Sequence, residues 1–445
     1  LKLLNSLIKV FSRSRMFKPP RGTRDYLPEE MWKRNWVIDR IREIFEAYGY
    51  EPLGTPAFES WEMLKLKSGE DVIREIYYFR DKSNRELGLR FEWTASLCRV
   101  VASHRELPKP FKRYAIGPVW RYERPSEKRL REFWQADVDI VGVADPIADA
   151  EVISVAVDAL SNLGLEGFKV RINDRRILEA MVELLKLPRD RSLDIFRAID
   201  KLNKIGVDGV RGELSKLGVA GEKADELLNL IDVKGKPDEK LGEVEESLRD
   251  SEIGLRGLGA LRGLVEYAEL FGFKRHLLLD LSLARGLDYY TGQVFEVYLG
   301  DVSISIAAGG RYDELIQLYG GEPTPATGIS LGVERIIAIL QETGALEGLK
   351  LGTEVYVAPT SDSVRDKAVE IAQRLRRAGI STDLDMMGRT LSKQLEYAHR
   401  RGFRRVVIVG NRDLKRGGVS VRDMETGEQR FIPLEELVDY LSSHR

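Results

Sequence analysis

The first sustained pattern along the chain begins at Pro28. Val37, Ile41, Ile44, Phe45 and Tyr48 follow at helical spacing until Gly49, which predicts one long amphipathic helix opened by proline and closed by glycine. Alternation then replaces that period. The runs KRYAIGPVWRYE (Lys112 to Glu123) and FWQADVDIVG (Phe133 to Gly142) predict the strands of an antiparallel hairpin joined by the charged tip RPSEKRLRE. From Asn173 to Phe271 the helical period returns, broken by glycines and rich in Leu, Lys and Glu, as in a helical insertion. Strand-like sequence resumes with HLLLDLSLARGLDYYTGQVFEVYLG and VSISIAAGGRYDEL, and GISLGVERIIAIL runs from a strand into a helix. After Gly352, strand EVYVAP, a helix from Asp362 to Ala378, strand STDLD, a helix from Thr390 to Arg401, strand RRVVIVG and two further strand-like runs follow in turn. That succession predicts a compact α/β domain.

Size and charge narrow the classes. A chain of 445 residues exceeds what one core serves, so two or three domains are expected. Lys plus Arg at 70 against Asp plus Glu at 71 excludes a uniformly basic nucleic-acid coat and leaves a local basic face for any phosphate-bearing partner. Cys98 is the sole cysteine, and His104, His276, His399 and His444 lack ligand spacing, so neither a disulfide nor a protein-built metal site is expected, and a reducing cytoplasm fits. The opening LKLLNSLIKVFSRSR has no acid and shares that trait with transit peptides. Folded sequence begins just after it, so residues 1–15 are expected to form a disordered extension. No apolar run approaches the ~20 residues a membrane helix needs. No G-x-G-x-x-G or G-x-x-x-x-G-K occurs, so any nucleotide site is neither Rossmann nor P-loop.

Chemistry gathers on the hairpin. Arg121 and Glu123 are expected on one face of its first strand, with Gln135 and Asp139 on one face of the second, so that four polar groups point into one groove. By itself the same pattern describes a solvated sheet with cross-strand ion pairs equally well. Arg335 falls in the first turn of the late helix, where a cation is poorly matched to the positive helix end unless an anion sits there.

The Arg-x-Glu strand, its charged loop, the second strand and the late Gly-x-Glu-Arg helix resemble motifs 2 and 3 of class II aminoacyl-tRNA synthetases, in the right order. GTPAFES around Pro56 resembles motif 1, which lies at the dimer interface in that class. RGLDYYTG (Arg285 to Gly292) and AAGGRYDEL (Ala307 to Leu315) resemble the two signature peptides of histidyl-tRNA synthetases. LRFEWT (Leu89 to Thr94) resembles the amino-group-binding segment, RGTRDYLP the usual opening, and GRTLSKQLEYAHRRG a stretch of the last domain. The resemblance is archaeal-like and spans Phe17 to the C-terminus, the insertion contributing least.

That resemblance implies an α+β catalytic domain with an antiparallel sheet (the class II synthetase fold), a helical insertion and a C-terminal α/β anticodon-binding domain. The expected division is 1–15 extension, 16–172 first part of the catalytic domain, 173–271 insertion, 272–345 second part and 352–445 anticodon-binding domain. The implied activity is ATP-dependent conversion of L-histidine to histidyl-adenylate and transfer to the 3' end of tRNA(His) by a homodimer, with Mg2+ carried on the ATP. It further implies that Arg121 contacts the α-phosphate and the histidine carboxylate, Arg285 the α-phosphate from the other side, and Arg335 the γ-phosphate. These three arginines form the catalytic set, suited to a reaction that develops negative charge. Glu123 would receive the adenine amino group. Glu92 and Thr94, flanking Trp93, would hold the substrate ammonium, Gln135 and Asp139 would position the substrate, and Tyr290, beside Tyr289, and Tyr312 would reach the imidazole. Arg400, Arg401, Arg404 and Arg405 would supply charge for anticodon reading. Two positions depart from the common bacterial loop, Ser126 for Gln and Lys128 for Gly, which bears on contact with the 5' end of the tRNA. The alternative is a catalytically silent synthetase paralogue acting as a regulatory or binding subunit. Such paralogues typically lose signature residues that are present here.

Overall fold

The computed structural model describes residues 17–66, 70–126, 129–284, 289–300, 305–349 and 352–443. The chain forms two compact units, one made of the stretch up to Asp25 and Arg34–Ala345, the other of Tyr26–Lys33 and Leu346–Arg445. The expectation for residues 1–15 lies outside the described residues.

The long helix α1 (Pro28–Ala47), which belongs to the first unit from Arg34 onward, buries Val37, Ile38, Ile41 and Phe45, and Gly49 ends it at a φ of 76°, a conformation glycine reaches without steric cost. Helix α2 spans Thr94–Ser103. The hairpin is present as β1 (Phe111–Trp120) and β2 (Glu132–Val141), paired antiparallel along their length. Helix α3 (Ile147–Asn162), β3 (Phe168–Asp174), β4 (Leu277–Asp280), β5 (Gln293–Leu299), β6 (Ala307–Arg311), β7 (Ala326–Gly332) and α4 (Val333–Glu342) complete the frame around the site. Together with two-residue strands at Glu51–Pro52 and Lys234–Gly235, they make a sheet ordered Glu51–Pro52, β1, β2, β7, β6, β5, β3, β4, Lys234–Gly235. The central pairings are antiparallel, while β3 and β4 run parallel. The first strand differs from its expected extent. It ends at Trp120, so Arg121 and Glu123 lie in the irregular turn beyond it rather than on a strand face.

Between β3 and β4 the chain makes a helical excursion from Arg175 to Leu270, with its own apolar interior of Ile195, Phe196, Ile199, Val210, Leu214, Leu227 and Ile231. Its departure is tied to the chain that follows its return. Asn173, fully buried at the end of β3, donates from its Nδ2 to the carbonyls of Leu281 (3.1 Å) and Leu283 (3.0 Å) just beyond β4.

The second unit holds a sheet ordered Thr382–Leu384, Val355–Pro359, Arg405–Val409, Gly418–Asp423, Gln429–Pro433. The first three strands are parallel and the last two pairings antiparallel. Val355, Val357, Ile371, Leu375, Val407 and Val409 fill one side of it, and Tyr356, Ala398 and Phe403 the other. Alternation is absent from the central strands because both faces are covered. Among the described residues no helix is long and apolar enough to cross a membrane.

Candidate active site

Strand β2 carries the centre of the site. Asp139, 3% exposed, stands opposite Arg113 on β1 and Gly328 on β7. Its Oδ2 lies 2.6 Å from Arg113 Nη2, and its Oδ1 accepts from the Tyr312 hydroxyl. The carboxylate fits there because position 328 has no side chain. A Cβ on Gly328 would stand 2.0 Å from Asp139 Oδ1 and 2.8 Å from the Val138 carbonyl. Burial first, and then the Asp139 charge, pushes the Tyr312 hydroxyl well above its ordinary pKa, so it remains a donor.

The segment ahead of α2 forms a second wall. Glu92 accepts from the backbone N–H of Thr94 (3.0 Å) and Ala95 (2.7 Å), holding the helix start where its first N–H groups would otherwise lack partners. Trp93 is buried and packs across Gly117 of β1, where a Cβ would meet its ring at 3.0 Å. Arg90 stacks on the same ring at 3.7 Å and donates to the carbonyls of Pro118, Thr55 and Pro56. Burial lowers the Arg90 guanidinium to about 10.

Tyr289 and Tyr290 have ring centroids 4.3 Å apart, and Arg175 Nη1 donates to the Tyr290 carbonyl at 2.8 Å. The Tyr290 ring lies against Gly310 of β6, where a Cβ would come within 2.9 Å of it. Burial, the neighbouring Tyr289, and the Glu92 and Asp139 carboxylates together raise its hydroxyl. Arg285, the expected cation of this peptide, lies outside the described residues. Arg121 donates from Nε to the Phe91 carbonyl at 3.1 Å and stacks over Phe133, which sets it beside Glu92. Glu123 is buried and accepts from Arg129 Nε. The adjacent Glu75 carboxyl is raised, first by burial and then by Glu123. Arg335 stands in the first turn of α4 and donates from Nη1 to the Ser305 carbonyl at 2.5 Å. Its neighbour Glu334 accepts from Arg34 (2.6 Å) and from the Trp134 N–H (2.8 Å), anchoring α4 to β2.

Glu92, Asp139, Tyr290 and Tyr312 therefore gather in one buried polar cluster, with Arg121 at its edge. Several buried atoms have no hydrogen-bond partner among the described residues, among them Trp93 Nε1, Gln135 Oε1 and Asp137 Oδ1. Orphaned buried polar atoms are costly, and here they suit a small polar ligand that brings both N–H donors and an acceptor.

The histidyl-tRNA synthetase family model matches residues 22–336, and an anticodon-binding domain model matches 354–444. The chain belongs to the histidyl-tRNA synthetase family. Among the relatives of this synthetase are histidine–tRNA ligases from Pyrococcus abyssi, 44% identical over 95% of this chain and 98% of that protein, and from Aeropyrum pernix, 44% identical over 95% and 97%. A solved histidyl-tRNA synthetase from Nostoc sp. PCC 7120 superimposes with a TM-score of 0.83 at 29% identity, covering 96% of this chain and 99% of that one.

In this family member, the residues singled out by motif fall into two groups. Glu92, Trp93, Thr94, Gln135, Asp139, Tyr289, Tyr290 and Tyr312 lie in or beside this cluster, whereas Glu123 and Arg335 occupy its flanks beside Arg129 and Ser305. Sequence reasoning passed over Arg113, Asp137 and Gly328. The same two-residue period that selected Gln135 and Asp139 also contains Asp137, so its signal was present in the strand.

Proposed function

We propose that this site activates L-histidine with ATP and then passes the histidyl group to the 3' end of tRNA(His), as the family to which the chain belongs implies. A histidine carboxylate oxygen attacks the α-phosphorus, the bond to the β-phosphate oxygen breaks, and pyrophosphate leaves. A ribose hydroxyl of the tRNA then attacks the carbonyl carbon of the adenylate, and AMP departs.

The observation that carries the reading is the Asp139 carboxylate, buried between Tyr312 and Arg113. A carboxylate offers about four acceptor positions, so an imidazole N–H can join the Tyr312 and Arg113 contacts. The Tyr312 proton is committed to Asp139, so Tyr290 is the donor to the other ring nitrogen. A neutral ring with one donor and one acceptor satisfies both, and an analogue lacking either leaves a buried group unpaired. Arg121 and Arg285 take the α-phosphate and Arg335 the γ-phosphate, pre-set cations where charge develops. Glu92 and Thr94 receive the ammonium, Glu123 the adenine amino group, and magnesium arrives on the outer phosphates of ATP. The unit after Gly352 reads the anticodon, the enzyme acts as a homodimer, and the cytoplasm is its compartment.

The test is histidine-dependent exchange of labelled pyrophosphate into ATP. Exchange is expected in the intact chain and a loss of roughly 100- to 1000-fold in Arg285→Ala. Absence of exchange across a range of temperatures would overturn the reading and favour a silent paralogue.

A further inference from the structure

Between Gln135 and Asp139 on the same face of β2 stands Asp137, which none of the roles above uses. Its side chain is 4% exposed, and its Oδ1 has no hydrogen-bond partner among the described residues. Gln135 Oε1, two positions away and roughly 7 Å along the strand, is likewise buried without one. Two idle acceptors on one strand face leave a need that a donor brought by a ligand meets. The strand neighbours of Asp137 are the small residues Ala115 and Ser330, so nothing bulky flanks the carboxylate in the sheet.

Charge identifies the donor. The groups facing Asp137 are Arg113 from β1, Asp139 on its own strand, Glu92 from the segment ahead of α2, and the hydrogen-bonding Ser330 of β7. Three carboxylates thus gather here, and the Arg113 guanidinium among them is already 2.6 Å from Asp139. Buried negative charge in excess is unfavourable until a cation joins it. When histidine binds with a neutral ring, its α-ammonium group is its only cation, and it carries three N–H donors.

The geometry points to Asp137 as a further histidine-binding residue, whose Oδ1 accepts, together with Gln135 Oε1, from the α-ammonium group of the substrate. The inference rests on the histidine-activating reading above. Burial holds this carboxyl up to about 7 without ligand, so a bound cation favours its ionised form, and histidine affinity strengthens as pH rises through that range.

The test compares the full-length protein with Asp137→Asn by pyrophosphate exchange. The KM for histidine is expected to rise at least tenfold at pH 8, the KM for ATP to stay within twofold, and the histidine effect to shrink towards pH 6. Titration of free histidine affects both proteins alike and cancels in their ratio. Inhibition by histidinol and by 3-(imidazol-4-yl)propanol, which lacks the amine, isolates the group concerned. The preference for the amine is expected to fall about tenfold in the variant. An unchanged histidine KM, or an unchanged preference between the two inhibitors, overturns the proposal. Asp137→Ser gives the same readings if the Asn variant does not fold. If wild type shows no exchange, the functional reading fails instead, and calorimetry with the two inhibitors still decides the role of Asp137.

Discussion

Replacing Gly328 by alanine tests the centre of the site with a single methyl group. The new Cβ would lie 2.0 Å from Asp139 Oδ1 and 2.6 Å from its Cγ, against roughly 3.5 Å for an unstrained non-bonded contact. The carboxylate must retreat by roughly 1.5 Å, which breaks its contacts with Tyr312 and Arg113. Rotating the side chain is insufficient, because the Val138 carbonyl stands 2.8 Å from the same Cβ. Overpacking of this kind costs roughly 1–3 kcal/mol of stability. A displacement beyond about 1 Å in a positioning group lowers kcat/KM on the order of 100-fold. Exchange kinetics with histidine as the varied substrate give the second quantity, and urea denaturation gives the first. Gly259→Ala is the control, since its added Cβ meets nothing within 4 Å and a mid-helix alanine stabilises by roughly 1 kcal/mol. Gly328→Ala is measured alone and on that background, which separates lost fold from lost placement. A Gly328→Ala enzyme with kcat/KM within threefold of wild type refutes the idea that the close approach at this glycine sets the position of Asp139.

Two other perturbations follow from buried charge. Asp137 is fully buried and raised from its ordinary value to about 7, so the folded state keeps a proton that the unfolded chain loses above about pH 4. Stability is therefore lost as pH rises from about 4 to about 7, by up to about 4 kcal/mol. Urea unfolding of Asp137→Asn is expected to lack that fall, and identical pH profiles for the two proteins would sink the assignment. Arg34→Met removes the 2.6 Å pair with Glu334 and the stacking on Trp134 at 4.8 Å. A loss of about 3 kcal/mol is expected, with partial recovery in the double variant Arg34→Met, Glu334→Gln. No loss of midpoint in the single variant would show that α4 is anchored by its apolar face alone.

The α+β fold with its late α/β sheet was legible because strand and helix periods differ and the motifs lie in order along the chain. The hairpin was placed to within a residue or two at most ends. Its first strand was read too long at Arg121 and Glu123, because alternation continues in the sequence beyond the point where pairing with β2 stops at Trp120. Asp139 and Tyr312 were reachable by motif, but their contact was not, since 173 positions separate them. Nothing in the local pattern singles out Arg113. Only the register that sets it opposite Asp139 shows it to be buried and paired. Gly328 carries no chemistry of its own, and its importance lies in a cross-strand distance that no local pattern encodes.

Asn173 gives the excursion between β3 and β4 a particular standing in the history of such a chain. β3 and β4 run parallel with Val170 opposite Leu277, so the excursion leaves the pair at one end and re-enters at the other, roughly 13 Å back along the strands, while one amide fastens its exit to the chain beyond β4. Closing a loop between such points costs an entropy that grows only logarithmically with its length. Residues could be gained or lost in that excursion without shifting the register of the strands that carry Asp139 and Tyr312. Whatever surface the excursion presents is therefore free to diverge while the chemistry beneath it stays fixed.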